Sequence, residues 1–267
     1  MAQPRAQGAA SLCVAADDAG VTRIRDLRQS GSMKLAFPQT HRKDIEAILV
    51  NTAGGITGGD RFSIAADVQP DATLTLTTQA AERAYKAQPG ETGQVTTTLT
   101  VAANARLNWL PQELILFDRC ALTRGLEVSL ATGARLLMVE PVVFGRVAMN
   151  EQLRDVMFQD RIRIWRAGLP LYADGMSLQE DAAARLARGA IADGAGAMAS
   201  LVYVAPDASS HLAAIRALLP ATAGASMLAS DVLVLRQLAP DSLELRRALI
   251  PVLDRLTQNT LPTSWRL

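Results

Sequence analysis

The sequence predicts a mainly β fold: stacked strands forming a β-helix-like single domain over residues 1–267, with two to three helices in the C-terminal half. Three observations predict it. Threonine-rich alternation of apolar and polar residues persists from about Val14 to Val147. A short motif recurs within that stretch at roughly thirty-residue spacing, as in stacked repeat architectures. Apolar stripes of helical period, with capping residues at their starts, occur only late in the chain. With 267 residues, 49% of them hydrophobic and 20% charged, the chain can bury a sizeable core, which excludes disorder, collagen and coiled coil.

The strands come first. Phe62, Ile64, Ala66 and Val68 alternate with Ser63, Ala65, Asp67 and Gln69. Thr73 to Thr77 and Val95 to Val101 continue the pattern. Such β-branched runs suit a pleated surface and lose rotamer freedom in a helix. The motif Val68-Gln-Pro-Asp71-Ala72-Thr-Leu74 recurs as Val101-Ala-Ala-Asn104-Ala105-Arg-Leu107 and Leu130-Ala-Thr-Gly133-Ala134-Arg-Leu136. Its turn residue is Asp, Asn or Gly, the types that tolerate left-handed backbone. Arg161 to Trp165 alternates again, turns at Ala167-Gly168 and returns through Leu171-Tyr172.

The C-terminal part is mixed. Ser177-Leu-Gln-Glu180 matches a capping box, which predicts a helix with Leu178, Ala182 and Leu186 on one face and a stop at Gly189. Ala199 to Val204 reads as a buried strand, Ser209 to Leu219 as a helix ended by Pro220, and Val232 to Leu238 as a strand. Asp241-Ser-Leu-Glu244 caps a last helix with a stripe of Leu245, Ala248, Leu249, Val252, Leu253 and Leu256. Pro251 inside it is expected to kink or split that helix near Arg247. The division is a β-rich core of about 14–175 and a mixed α/β part of about 176–267. The Gly189–Ala197 stretch is a loop within one domain.

Composition narrows function. Lys+Arg number 27 and Asp+Glu 26, for a net charge of +1, without the clustered basic surface a nucleic-acid binder needs. Two cysteines, Cys13 and Cys120, and two histidines, His41 and His211, are too few for a disulfide framework or a His-rich metal site. No run of about 18 uncharged apolar residues predicts a membrane span. The first ten residues lack the apolar stretch of a signal peptide, so the expected location is the cytoplasm.

The sharpest local signal is Gly54-Gly55-Ile-Thr-Gly58-Gly59-Asp60-Arg61. A phosphate loop requires a following helix or a Gly-Lys-Ser/Thr end, and here another alternating strand follows. Tight turns or close backbone approach explain the glycines better, with Asp60 as a turn-capping carboxylate and Arg61 its neighbour. A β-architecture small-molecule enzyme that binds an anionic ligand on this loop is the alternative. Asp60, Glu82, Glu113, Asp118, Glu140 and Glu151 are scattered acids, each suited to acid–base work, to a surface ion pair, or to a cation path lined by oxygen ligands.

Five motifs in order give a resemblance. They are Gly54 to Arg61; Thr77-Thr78-Gln79-Ala-Ala-Glu-Arg-Ala-Tyr85-Lys86; Leu110-Pro111-Gln112-Glu113-Leu-Ile115-Leu-Phe117; Glu140-Pro141; and Gly145-Arg146 with Glu151. Together they resemble the urease accessory protein UreD (UreH) family, strongly over residues 20 to 165 and loosely beyond. Asn150 stands where a glycine is usual, and Pro262-Thr-Ser-Trp265 lacks the arginine of the family's ending. The resemblance implies a non-enzymatic maturation factor with a mainly β, short β-helix-like fold. It implies partnership with UreF, the GTPase UreG and the urease apoprotein during installation of nickel. No tightly bound cofactor is expected, with nickel passing in transit along weak sites. Asp60, Glu113 and Glu140 are the candidate groups of that path. Arg61 and Arg146 are equally suited to neutralising such acids.

Overall fold

The computed structural model describes residues 4–146 and 149–266. Val147, the expected end of the alternating stretch, lies outside the described residues, as do the domain's first and last residues. Two sheets face one another. The first has seven strands: β1 (Gln7–Ala16), β2 (Thr22–Gly31), β5 (Arg61–Val68), β8 (Gly93–Val101), β11 (Ala121–Leu130), β13 (Val156–Arg166) and β14 (Leu169–Glu180), in the order β14-β13-β11-β8-β5-β1-β2. The second runs β16 (Ala223–Ala229), β17 (Val232–Ala239), β15 (Ala197–Val204), β12 (Arg135–Phe144), β9 (Arg106–Leu110), β6 (Thr73–Thr78), β4 (Ile45–Asn51) and β3 (Met33–Ala36). Two short strands, β7 (Glu82–Ala84) and β10 (Leu114–Leu116), extend it beside β12.

The repeat is the reason for the layering. Each copy leaves the first sheet, turns, and enters the second, so successive copies stack in parallel register: Val68 beside Val101 beside Leu130, and Thr73 beside Arg106 beside Arg135. Asp71, Asn104 and Gly133 take φ of 61°, 59° and 78°, the left-handed geometry that their residue types tolerate. The turns bond to one another as well. The amides of Ala102 and Ala131 each donate to the rung before, at 2.9 Å to the carbonyls of Val68 and Val101. Inward residues then form columns. Leu74, Leu107 and Leu136 are fully buried in one, each contributing about 1.5–3 kcal/mol. This is the β-helix-like, mainly β single domain that the sequence predicts.

Three expectations need correction. Strands begin at Gln7, earlier than the 14–175 core. Ser177 to Glu180 does not start a helix: it is the end of β14, where Leu178 pairs with Phe158 and is buried. The cap passes to Asp181, whose side chain accepts from the Ala184 amide at 3.0 Å and starts the short helix α1 (Ala182–Leu186). Burial of Leu178 against β13 outweighs a local capping preference. Finally, Pro251 does not split its helix. After α2 (Ala208–Leu218), α3 runs unbroken over Ser242–Thr257. Pro251 is exposed, while Leu245 and Leu249 before it and Val252, Leu253 and Leu256 after it are all buried on the second sheet. That shared burial exceeds the roughly 3 kcal/mol cost of an internal proline. Asp241 caps α3 as expected, accepting from the Glu244 amide at 2.9 Å.

Candidate functional site

The glycine-rich segment links β4 to β5 and packs on β7. The Ile56 amide donates to the Arg83 carbonyl and the Tyr85 amide to the Ile56 carbonyl, both at 2.7 Å. Gly55 is required by this contact, since a Cβ there would lie 2.2 Å from the Tyr85 ring. Asp60 is buried and acts within the turn: its carboxylate accepts the amides of Ala6 and Thr57, each at 2.8 Å. A Cβ on Gly58 would meet the Glu91 carbonyl at 2.8 Å, and one on Gly59 would meet the Arg5 side chain at 3.0 Å. The amides of Gly54, Ile56, Thr57 and Asp60 all bond within the protein. They do not converge on a cradle for an anionic ligand. Arg61 is exposed, and its amide holds the Ala6 carbonyl.

Four of the five motifs meet at this end. Tyr85 meets Phe117 edge-on, with ring centroids 4.9 Å apart. Arg146 lies over Phe117 at 4.4 Å and grips Glu151 with two bonds of 2.9 Å. That pairing holds the Glu151 carboxyl below its ordinary range. Gly145 takes φ 83°, and Asn150, in the place of a usual glycine, takes φ 50°. Gln112 bridges strands: its amide nitrogen donates to the carbonyls of Thr78 and Gln79 at 3.1 Å, and its backbone amide donates to the Thr78 hydroxyl at 2.9 Å. Pro111 precedes it in the turn between β9 and β10.

Glu113 is held by α3. Arg246 donates to both its oxygens at 2.7 Å, to the Gln112 side-chain oxygen at 2.6 Å, and to the Trp265 carbonyl at 3.2 Å. Trp265 is buried and donates from its indole to the Leu110 carbonyl at 3.0 Å. The tail is therefore fixed onto the third motif without the arginine missing from its own ending.

Glu140 sits elsewhere. A polar layer crosses the otherwise apolar space between the sheets. Arg124 on β11 and Asp160 on β13 face Glu140 on β12 and Trp109 on β9. Arg124 binds Asp160 through two bonds of 3.0 and 2.5 Å. Its third nitrogen lies 2.6 Å from Glu140 Oε2, an ion pair without hydrogen-bond alignment. The Trp109 indole donates to Glu140 Oε1 at 2.6 Å. Burial pushes the Glu140 carboxyl up, against the pull of Arg124. Burial also acts against the Arg124 charge, but Asp160 and Glu140 outweigh it and hold that guanidinium firmly protonated.

Several neighbouring hollows share lining residues with this layer. An interior cavity of about 70 Å³ is lined by Thr78, Glu82, Trp109, Gln112, Arg124 and Glu140. That volume exceeds the ~10–15 Å³ that one water needs. Thr78 and Glu82 also line an outer groove of about 270 Å³ beside Asn51, Gly54 and Arg83. Burial raises the Glu82 carboxyl, while Asn51 donates to it at 3.0 Å. At the other end, Thr97, Arg124 and Gly125 line both the cavity and a groove of about 450 Å³ on the outside of the first sheet. Glu140 and Asp160 further border a small hollow toward Asp174, Ser200 and Arg236. Among the three acids expected from sequence, Glu140 lines the cavity. Asp60 and Glu113 are not part of its lining. Among the described residues, no group of three His, Cys, Asp or Glu side chains is placed to hold a metal ion. The sequence reading missed Arg124, Trp109, Asp160 and Arg246. Arg124 had a visible signal: it occupies an inward position of the alternation Leu122, Leu126, Val128.

The sequence places this fold and its motifs among the urease accessory proteins. The family model described as UreD urease accessory protein matches residues 6–266, and the chain belongs to that family. It is 54% identical over 265 residues to the urease accessory protein UreD of Roseobacter denitrificans, covering 99% of this chain and 96% of the relative. It is 54% identical over 241 residues to that of Ruegeria pomeroyi, covering 90% and 94%. Identity to that of Rhizobium leguminosarum bv. viciae is 42% over 264 residues, covering 98% and 96%.

Proposed function

We propose that this chain is a maturation factor for the nickel metallocentre of urease, standing between the UreF and UreG proteins and apo-urease, and that nickel crosses it along a corridor through these hollows. The observation that carries this reading is a set of neighbouring hollows with shared walls: Glu82, Gln112 and Glu140 border the cavity between the sheets, and Arg124 and Thr97 separate it from the outer groove that Asp160 borders. Burying such groups costs several kcal/mol, and packing alone gives no reason to retain them. Oxygen ligands suit a borderline divalent ion in transit, and weak sites release what they accept. Asp60 and Glu113 serve this function indirectly, by holding the glycine-rich end and the tail in place. The rigid sandwich supplies the docking body, and the chemistry of GTP belongs to the partner.

The test is to fill the corridor. Thr97 is buried and lines both the cavity and the outer groove. Thr97→Phe would occupy the passage at an overpacking cost of about 1–3 kcal/mol. Urease matured with this variant is expected to contain several-fold less nickel while the variant still co-purifies with urease and UreF. Normal nickel content with intact co-purification would overturn the path and leave the scaffold.

A further inference from the structure

Arg124 lies between the interior cavity and the outer groove and lines both, and its two partners, Glu140 and Asp160, border the hollow toward Asp174. Its side chain is 13% exposed. It fills the space between two carboxylates that would otherwise face each other across the corridor, Glu140 with an ion contact of 2.6 Å and Asp160 with a bidentate one. Glu140 Oε2 is buried and has no hydrogen-bond donor aligned on it. The neighbouring residue is Gly125, and nothing lies within 4 Å of where its Cβ would be, so the outer side of this point is open.

We propose that Arg124 is a fixed-charge gate in the corridor: its guanidinium holds the place that a divalent cation would take between Glu140 and Asp160, and passage requires the two cations to exchange. This rests on the reading of the corridor as a nickel path. The chemistry is simple. A guanidinium does not lose its proton at physiological pH, so the gate opens by movement of the side chain and never by titration. While it stays, like-charge repulsion excludes a bare cation in a medium where such interactions are strong. When it swings toward the open groove beside Gly125, two carboxylates and water remain, a set of oxygen ligands that binds weakly enough to release. No covalent bond is made or broken in the exchange: a singly charged guanidinium gives up its ion contacts and a doubly charged ion takes them, so the pair of carboxylates goes from half to full neutralisation.

The experiment is equilibrium dialysis of the purified full chain, with UreF present if solubility demands it, against nickel. Arg124→Gln is expected to bind one nickel ion at least tenfold more tightly than the wild type. Arg124→Gln with Glu140→Gln is expected to lose that gain, and Arg124→Lys to behave as the wild type. Equal nickel binding by Arg124→Gln and the wild type would overturn the gate. Should Arg124→Gln fail to fold, the wild-type chain is labelled with an arginine-directed dicarbonyl reagent and mapped by mass. Excess nickel is then expected to raise labelling at Arg124, and unchanged labelling would overturn the proposal. None of these readouts uses urease. Loss of the gate with nickel loading still sensitive to Thr97→Phe would sink this inference alone, whereas loading insensitive to Thr97→Phe would sink the path and the gate with it, even if Arg124→Gln gained a tight site.

Discussion

The glycine-rich end and the polar layer each bury acidic side chains, and they use them differently. At the end, Asp60 accepts two backbone amides, and Glu113 is clasped through both oxygens by Arg246. Every bond there holds two parts of the chain together, and neither acid lines the interior cavity. In the polar layer, Glu140 and Asp160 share one guanidinium, and one oxygen of Glu140 has no aligned donor. Open volume lies against it. Buried charge that is saturated specifies structure. The proposed nickel path draws on the second arrangement, a buried carboxylate oxygen left beside open volume.

That contrast can be broken by substitutions at the end that behave as the layer should, or the reverse. The largest effect is expected from Arg246→Ala. It strands Glu113, which is 2% exposed, and loosens Trp265, at a cost of about 3–5 kcal/mol. A thermal melt would show a fall of many degrees, and adding Glu113→Gln should recover part of it. Next comes Gly55→Ala, whose Cβ would press on Tyr85 at 2.2 Å, costing about 1–3 kcal/mol by overpacking. Denaturant unfolding measures it. Gly54→Ala is smaller. Its surroundings are open at φ 78°, so only the left-handed backbone penalty of about 1–2 kcal/mol applies. If Gly54→Ala proved as costly as Gly55→Ala, the contact with Tyr85 would not be what fixes the loop.

The smallest effect is in pH. Arg146 holds Glu151 below the ordinary glutamate value of 4.5. The folded carboxyl titrates lower than the unfolded one, so its stabilisation is present above the unfolded value and is lost as pH falls through the folded value. The difference in melting temperature between the wild type and Glu151→Gln should therefore shrink on acidification below about pH 4.3. A difference that grew on acidification would contradict the Arg146 pairing.

How much of this was legible beforehand follows from the range of the forces. The repeat showed the stacking because turn residues Asp71, Asn104 and Gly133 act locally and their neighbours alternate with period two. Asp60 as a turn cap was legible for the same reason. The end of β14 was not. Ser177 to Glu180 carries a genuine helix-start pattern, and only the full length of its pairing with β13 across the Ala167-Gly168 hairpin overrides it. Pro251 misled similarly, because α3 is held straight by burial on a sheet that joins the adjacent β17 to β15, a strand about forty residues earlier. The polar layer is the hardest case. Arg124, Asp160, Glu140 and Trp109 lie on four different strands, and only the register of two sheets brings them together. Glu140 was singled out by its motif, but the only mark of its partners was an arginine at an inward position of β11.

The most direct measurement of the central claim is the nickel content of urease matured in parallel with Asp60→Asn and Glu140→Gln, at limiting nickel and at equal levels of folded accessory protein. Both substitutions keep side-chain size and remove one charge. Glu140→Gln is expected to lower nickel per urease active site several-fold, while Asp60→Asn leaves it near the wild-type level. Equal nickel from the two variants would contradict a path through the polar layer.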